Sequence, residues 1–175
     1  MKIEVVPCNP LWPAQFESER LAIERSLGDI VVQAHHIGST AVKGLAAKPI
    51  IDIILEVRSL EALDQAASAL ELMDYEAMGE FGISGRRYFR KGGSFRTHQI
   101  HAFKAGDPNI FRHLAFRDYL NHHPDVRREY QELKIRLATE CNDDLDFYCD
   151  GKDAFVKHHE AKAIEWKNGM DASTR

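Results

Sequence analysis

The chain has 175 residues, 44% of them hydrophobic and 29% charged, with a formal net charge of −4. That length holds one ordinary domain able to bury a core without disulfide or metal staples. The charge argues against a nucleic-acid coat, and no apolar run approaches the ~20 residues needed to cross a bilayer. Trp12 to Leu27 is predicted helical, with Leu11, Phe16, Leu21, Ile23 and Leu27 as its apolar stripe and Gly28 as its stop. Ile30 to Ile37, rich in β-branched residues, reads as a strand broken by Gly38-Ser39-Thr40, and Pro49 to Val57 reads as a second. Ser59 caps a helix running through Met73. Two β-rich runs, "RRYFRK" and "THQIHAF", flank Gly92-Gly93 as a hairpin. From Pro108 onward the pattern is helical over roughly 108–121, 125–141 and 153–168, punctuated by Pro124 and Gly151.

This order predicts an α+β fold: a small mixed β-sheet with helices packed on one face and a helical C-terminal part over residues 108–170. No linker-like stretch divides the chain, so residues 1–175 read as a single domain. Cys8, Cys141 and Cys149 form no Cys-x-x-Cys pair and read as reduced thiols. The opening residues carry no secretory pattern, and a cytoplasmic location is the expectation.

The chemistry concentrates in "HHIGSTAVKGLAAKPIIDIILEV". Alternation puts Ile51, Ile53 and Leu55 on one face of the second strand and Asp52, Ile54 and Glu56 on the other. The first face is wholly apolar and must be core, so Asp52 points away from it, where a carboxylate is tolerable if that face lines a cleft or if it pairs with Lys48 or an arginine. Gly38-Ser39-Thr40 supplies backbone amides, small hydroxyls and room for the close approach of a phosphate. Lys48, just before Pro49, is placed to contact that phosphate or to cap the loop. Arg86 and Arg87 are consecutive in a strand, so one faces the cleft as an anion clamp and the other does not. In "THQIHAF", Thr97, Gln99 and His101 share the cleft face and His98 falls opposite. The other basic residues after position 85, Arg96 and Lys134 among them, read as a solvated helical surface, and His113 and Arg117 as surface pairing.

Taken together, "HHIGSTAVKGLAAKPIIDI", "RRYFRK", "THQIHAF" and "HLAFRDYL", with "NPLWPAQFESE" near the start and "EYQELKIRLA" later, resemble the GrpB family, assigned to the nucleotidyltransferase superfamily. The resemblance implies a mixed sheet in which a Gly-Ser turn faces acidic residues. In active superfamily members that turn helps hold nucleotide phosphates, and acids on two strands bind Mg²⁺ and activate the attacking hydroxyl. Superfamily members carry two acids at i and i+2 on the second strand; this chain has Asp52 and then Ile54. Where the third acid belongs, on the later strand, stands His101, a poor Mg²⁺ ligand but a good one for Mn²⁺, Zn²⁺ or Fe²⁺. GrpB-like domains also occur joined to dephospho-CoA kinase.

The resulting expectation is a protein binding a small nucleotide or phosphorylated ligand. Gly38, Ser39, Thr40, Lys48, Arg86 and Arg87 would hold phosphate, and Asp52 and His101 would serve as catalytic and metal-binding groups. Either it performs Mg²⁺- or Mn²⁺-dependent nucleotidyl transfer, or it has kept the cleft and lost the chemistry. Nucleic acid fits poorly as a partner, and a membrane is not expected.

Overall fold

Pro13 in the first turn and Gly28 (φ 56°) at the end bound helix α1 (Trp12–Leu27) in the computed structural model, which describes residues 2–174. Its buried side chains are Trp12, Ile23 and Leu27. Leu11 and Leu21, expected on the same stripe, are exposed. A helix turns ~100° per residue, which carries Leu21 about 180° from Trp12. Then come β1 (Val31–Ile37), β2 (Ile51–Val57), α2 (Leu60–Gln65), α3 (Ala67–Glu71) and β3 (Tyr75–Ala77). The chain continues through β4 (Arg86–Lys91), β5 (His98–Lys104), α4 (Pro108–His122), α5 (Pro124–Glu140) and α6 (Leu145–Ser173).

The strands form one mixed sheet in the order β1-β2-β5-β4-β3, in which only the β2–β5 pair is parallel. The hairpin expected around Gly92-Gly93 is the β4–β5 pair. The main core lies between the apolar face of the sheet (Ile51, Ile53, Leu55, Val57, Ile100, Ala102) and α1, α2 and α3. On the other face, Ile54, Ile37 and Phe103 pack beneath Ile110 of α4. The C-terminal helices thus stand against the side that α1 leaves open, and the remainder of that side is a cleft.

Three details depart from the expected elements. The helix expected from Ser59 to Met73 breaks at Ala66, whose amide is shared between the carbonyls of Ala62 and Leu63. The three-residue edge strand β3 is too short for its pattern to stand out in the sequence. Gly151 does not interrupt a helix but lies inside α6, which begins at Leu145 with Asp144 accepting from the Phe147 amide. A Cβ at Gly151 would lie 2.4 Å from Cδ2 of Leu137, so the glycine is there for the close approach of α5 and α6. Among the described residues no helix is long and apolar enough to cross a membrane.

Candidate functional site

β1 ends at Ile37, which pairs with Asp52, and the chain then turns a corner at Gly38 into a single helical turn, Ser39–Ala41. Gly38 has φ 72° and ψ −172°, and a Cβ there would lie 2.7 Å from Asp52 Oδ2. The corner therefore packs directly on the carboxylate. Thr40 is buried, with its hydroxyl within hydrogen-bond reach of the Ile50 carbonyl and of His36 Nε2. Burial lowers the His36 pKa to about 4, against the pull of Asp52. A neutral His36 then donates from Nε2 to Thr40 Oγ1, which in turn donates to Ile50. That hydroxyl is committed to holding the turn, which leaves Ser39 as the corner's freer side chain.

The register carries the predicted alternation across the sheet. Asp52 pairs with Gln99, Ile54 with His101, and His101 with Tyr88, all on the cleft face. His101 Nε2 is 3.5 Å from Asp52 Oδ1, and Arg86 Nη1 is 3.4 Å from His101 Nδ1. The His101 ring stacks between Tyr88 at 5.4 Å and His113 at 5.9 Å. Ile54, where the superfamily pattern has an acid, is sealed under α4. Glu56, the next acid on that face, is engaged by His35. Among the described residues no three His, Cys, Asp or Glu side chains converge on a point where a metal ion would sit. One carboxylate beside one imidazole does not fit a pair of Mg²⁺ ions, which require several oxygen ligands each.

The cleft holds instead a cavity of about 430 Å³ lined by Gly38, Ser39, Thr40, Asp52 and cationic side chains: Lys48, Arg90, Arg96, Lys134 and Lys152. Asp52 is the one acid among its described lining residues. Tyr148 lies between two of these cations, with Lys48 Nζ 5.1 Å and Lys152 Nζ 4.2 Å from its ring centre. Lys134 is almost wholly buried, donates to the Ala46 carbonyl at 2.5 Å and stands 4.8 Å from the Tyr130 ring. Burial, reinforced by Lys152 and Lys48, brings the Lys134 pKa down to about 7. Burial also lowers that of Lys152. It raises the Tyr130 phenol to about 12, with Ser39 acting the other way. Arg96 has a buried Nε with no hydrogen-bond partner.

Of the residues expected to hold phosphate, Gly38, Ser39, Thr40 and Lys48 come together around Asp52, and the two arginines do not. Arg87 points to the opposite face and makes a two-point ion pair with Asp64 of α2, at 2.7 and 2.9 Å. Arg86 does face the cleft side, but it is buried, and its Nε and Nη2 donate to the carbonyls of Glu80 and Phe81. Apart from Lys48, the cations that reach the cavity are ones expected to face solvent or not singled out from the sequence. A signal for two of them existed: Tyr130, Lys134 and Leu137 repeat at helical spacing, as do Tyr148, Lys152 and Phe155. A lysine within an apolar stripe is aimed inward and needs a reason to be there.

A second hollow of about 280 Å³ opens on the other side of the same corner, sharing Gly38, Ser39, Asp52, Gln99 and Tyr130 with the first. His113 lines it, contrary to the expectation of a surface role, and burial lowers its pKa to about 3, so the ring is neutral. Arg117 also lines it while donating to the His36 carbonyl and pairing with Asp118.

The family model described as GrpB protein matches residues 2–162. A crystal structure described as conserved protein GrpB from Enterococcus faecalis is 43% identical and superposes with a TM-score of 0.90, covering 94% of this chain and 99% of that one. The UPF0157 protein YqkA of Bacillus subtilis is 44% identical over 170 residues, 97% of this chain, and this chain spans 50% of YqkA's length. A more distant relative, a dephospho-CoA kinase of Mycolicibacterium paratuberculosis, is 25% identical over 94% of this chain and 46% of its own length. With the match covering most of its length, this chain belongs to the GrpB family.

Proposed function

We propose that this chain binds a nucleotide or another phosphorylated small molecule in the cleft between the sheet and α5–α6, its phosphates neutralised by side-chain cations rather than by a metal pair. The observation that carries this reading is the convergence of Lys48, Arg90, Arg96, Lys134 and Lys152 on the Gly38–Ser39 corner, with Asp52 as the lone opposing charge. Cations brought this close in a partly desolvated space repel one another and are stabilised by an anion of high charge density. The unpartnered Nε of Arg96 is a donor in need of an acceptor. The family resemblance to nucleotidyltransferases and the relative named as a dephospho-CoA kinase support a phosphorylated ligand. The donor set around Asp52 gives no support to two-metal transfer.

Calorimetric titration of the protein with tripolyphosphate and with ATP, in EDTA and again with Mg²⁺ or Mn²⁺, tests the reading. Charge-assisted hydrogen bonds are worth about 1.5–3 kcal/mol. Arg96→Ala and Lys152→Met should therefore each weaken metal-free binding by about tenfold or more. Asp52→Asn removes the lone acid and should leave metal-free binding equal or tighter. Binding that requires the divalent ion and disappears in Asp52→Asn would replace this reading with a metal-dependent site.

A further inference from the structure

Between β3 and β4 the segment Gly79–Gly85, "GEFGISG", carries three glycines at positive φ and one other residue in that region, Phe81 at φ 46°. A phenylalanine in a left-handed conformation is strained, and such strain persists only where the surroundings hold it. The holder is Arg86. Its buried guanidinium donates from Nη2 to the Phe81 carbonyl at 2.6 Å and from Nε to the Glu80 carbonyl at 3.1 Å. The Phe81 side chain gains no burial from this, remaining 58% exposed, while its neighbour Ile83 is the residue that packs on the core. The Phe81 ring instead lines the cationic cavity and forms the outer rung of an aromatic ladder. Phe81 lies 5.2 Å from Tyr88, Tyr88 5.4 Å from His101, and His101 5.9 Å from His113. Tyr88 is buried, His101 and His113 are half-buried beside the second hollow, and Phe81 is the exposed rung, sharing the lining of the first cavity with Lys48, Arg90 and Arg96.

We propose that Phe81 is the stacking platform for the planar ring of the ligand whose phosphates the cationic cavity takes, and that Arg86 is the positioning residue that presents it. The inference rests on the phosphate reading above and narrows the ligand to one with an aromatic ring joined to its phosphates, a nucleoside polyphosphate. An aromatic side chain stacks on any base, so the platform selects for a base over none rather than for one base among four.

The test compares the tightest binder among ATP, GTP, UTP and CTP with tripolyphosphate, titrated calorimetrically into the full chain. Stacking one base on one aromatic side chain is worth about 1–3 kcal/mol, roughly 5- to 150-fold in affinity. The wild type should bind the nucleotide at least about fivefold more tightly than tripolyphosphate. Phe81→Ala should bring the nucleotide down to the tripolyphosphate level without changing tripolyphosphate itself. Phe81→Trp should keep the preference, and its indole fluorescence should quench with the nucleotide and not with tripolyphosphate. Arg86→Lys should shrink the preference while tripolyphosphate affinity holds, a split that a general loss of folding does not produce. Wild type with no preference for the nucleotide, Phe81→Ala with the preference intact, or Phe81→Ala losing both probes together would each overturn the proposal. Wild type binding neither probe would overturn the phosphate reading, and this inference with it.

Discussion

At φ 72° and ψ −172°, Gly38 occupies backbone space essentially closed to residues with a Cβ, and that Cβ would also press on Asp52. The sequence pointed to this corner because a Gly-Ser pair ended a strand opposite an outward acid. It gave no sign that glycine and carboxylate would be in contact. Gly38→Ala should cost about 3 kcal/mol of stability in a denaturant titration, from the strained backbone and the displaced carboxylate together. A loss under about 1 kcal/mol would mean that the corner is not built this way. Arg87 is the opposite case. Its parity could be stated only relative to Arg86, and the choice between the two depended on Asp64, whose approach from α2 no local pattern announces.

For the elements, β2 illustrates how far periodicity carries. Alternation separated Ile51, Ile53 and Leu55 from Asp52, and the register bears that out. Ile54, however, is as deeply buried as its neighbours on the core face, because α4 sets Ile110 over it. The cleft face of one strand is thus divided between a solvated end at Asp52 and a packed interior at Ile54. Restoring the superfamily's second acid by Ile54→Asp should consequently fail to create a metal site. It should also cost about 3 kcal/mol or more, since a carboxylate would replace a methyl-bearing side chain among Ile37, Phe103 and Ile110. Thermal melting and Mn²⁺ titration of the variant together check both halves. Gly151 teaches the same lesson in a helix: read alone it is a stop, while beside Leu137 it is the contact point of α5 and α6.

Across the whole molecule, the cationic cavity exists because α5 and α6 carry Lys134 and Lys152 to a corner made more than 80 residues earlier in the chain. Lys134 is the extreme case, with a pKa of about 7 in the folded state against an ordinary value of 10.5, caused first by burial and then by Lys152 and Lys48. Between those two values the unfolded chain holds a proton that the folded chain has released, so raising the pH favours folding. Wild-type stability measured relative to Lys134→Met should therefore rise from pH 7 toward pH 10, read as melting temperatures of the pair in matched buffers. A pH-independent difference would show that Lys134 is not a buried titrating group. The same property links ligand and proton. A phosphate beside Lys134 favours its charged form, so metal-free binding at pH 8 should take up protons, detectable by titration in buffers of different ionisation enthalpy.

The sequence by itself determined the order of the longer elements, though not β3 or the break at Ala66, and also the apolar face of β2, the position of the Gly38–Ser39 corner opposite Asp52, and the family, because each is written in local periodicity or in a contiguous motif. Which cations join Lys48 in the cleft was decided only by the tertiary structure, and so was the burial of Ile54 where an acid would be needed. Helical spacing marks Lys134 and Lys152 as turned inward, but only the packing of α4, α5 and α6 against the sheet decides that they meet a cavity at this corner.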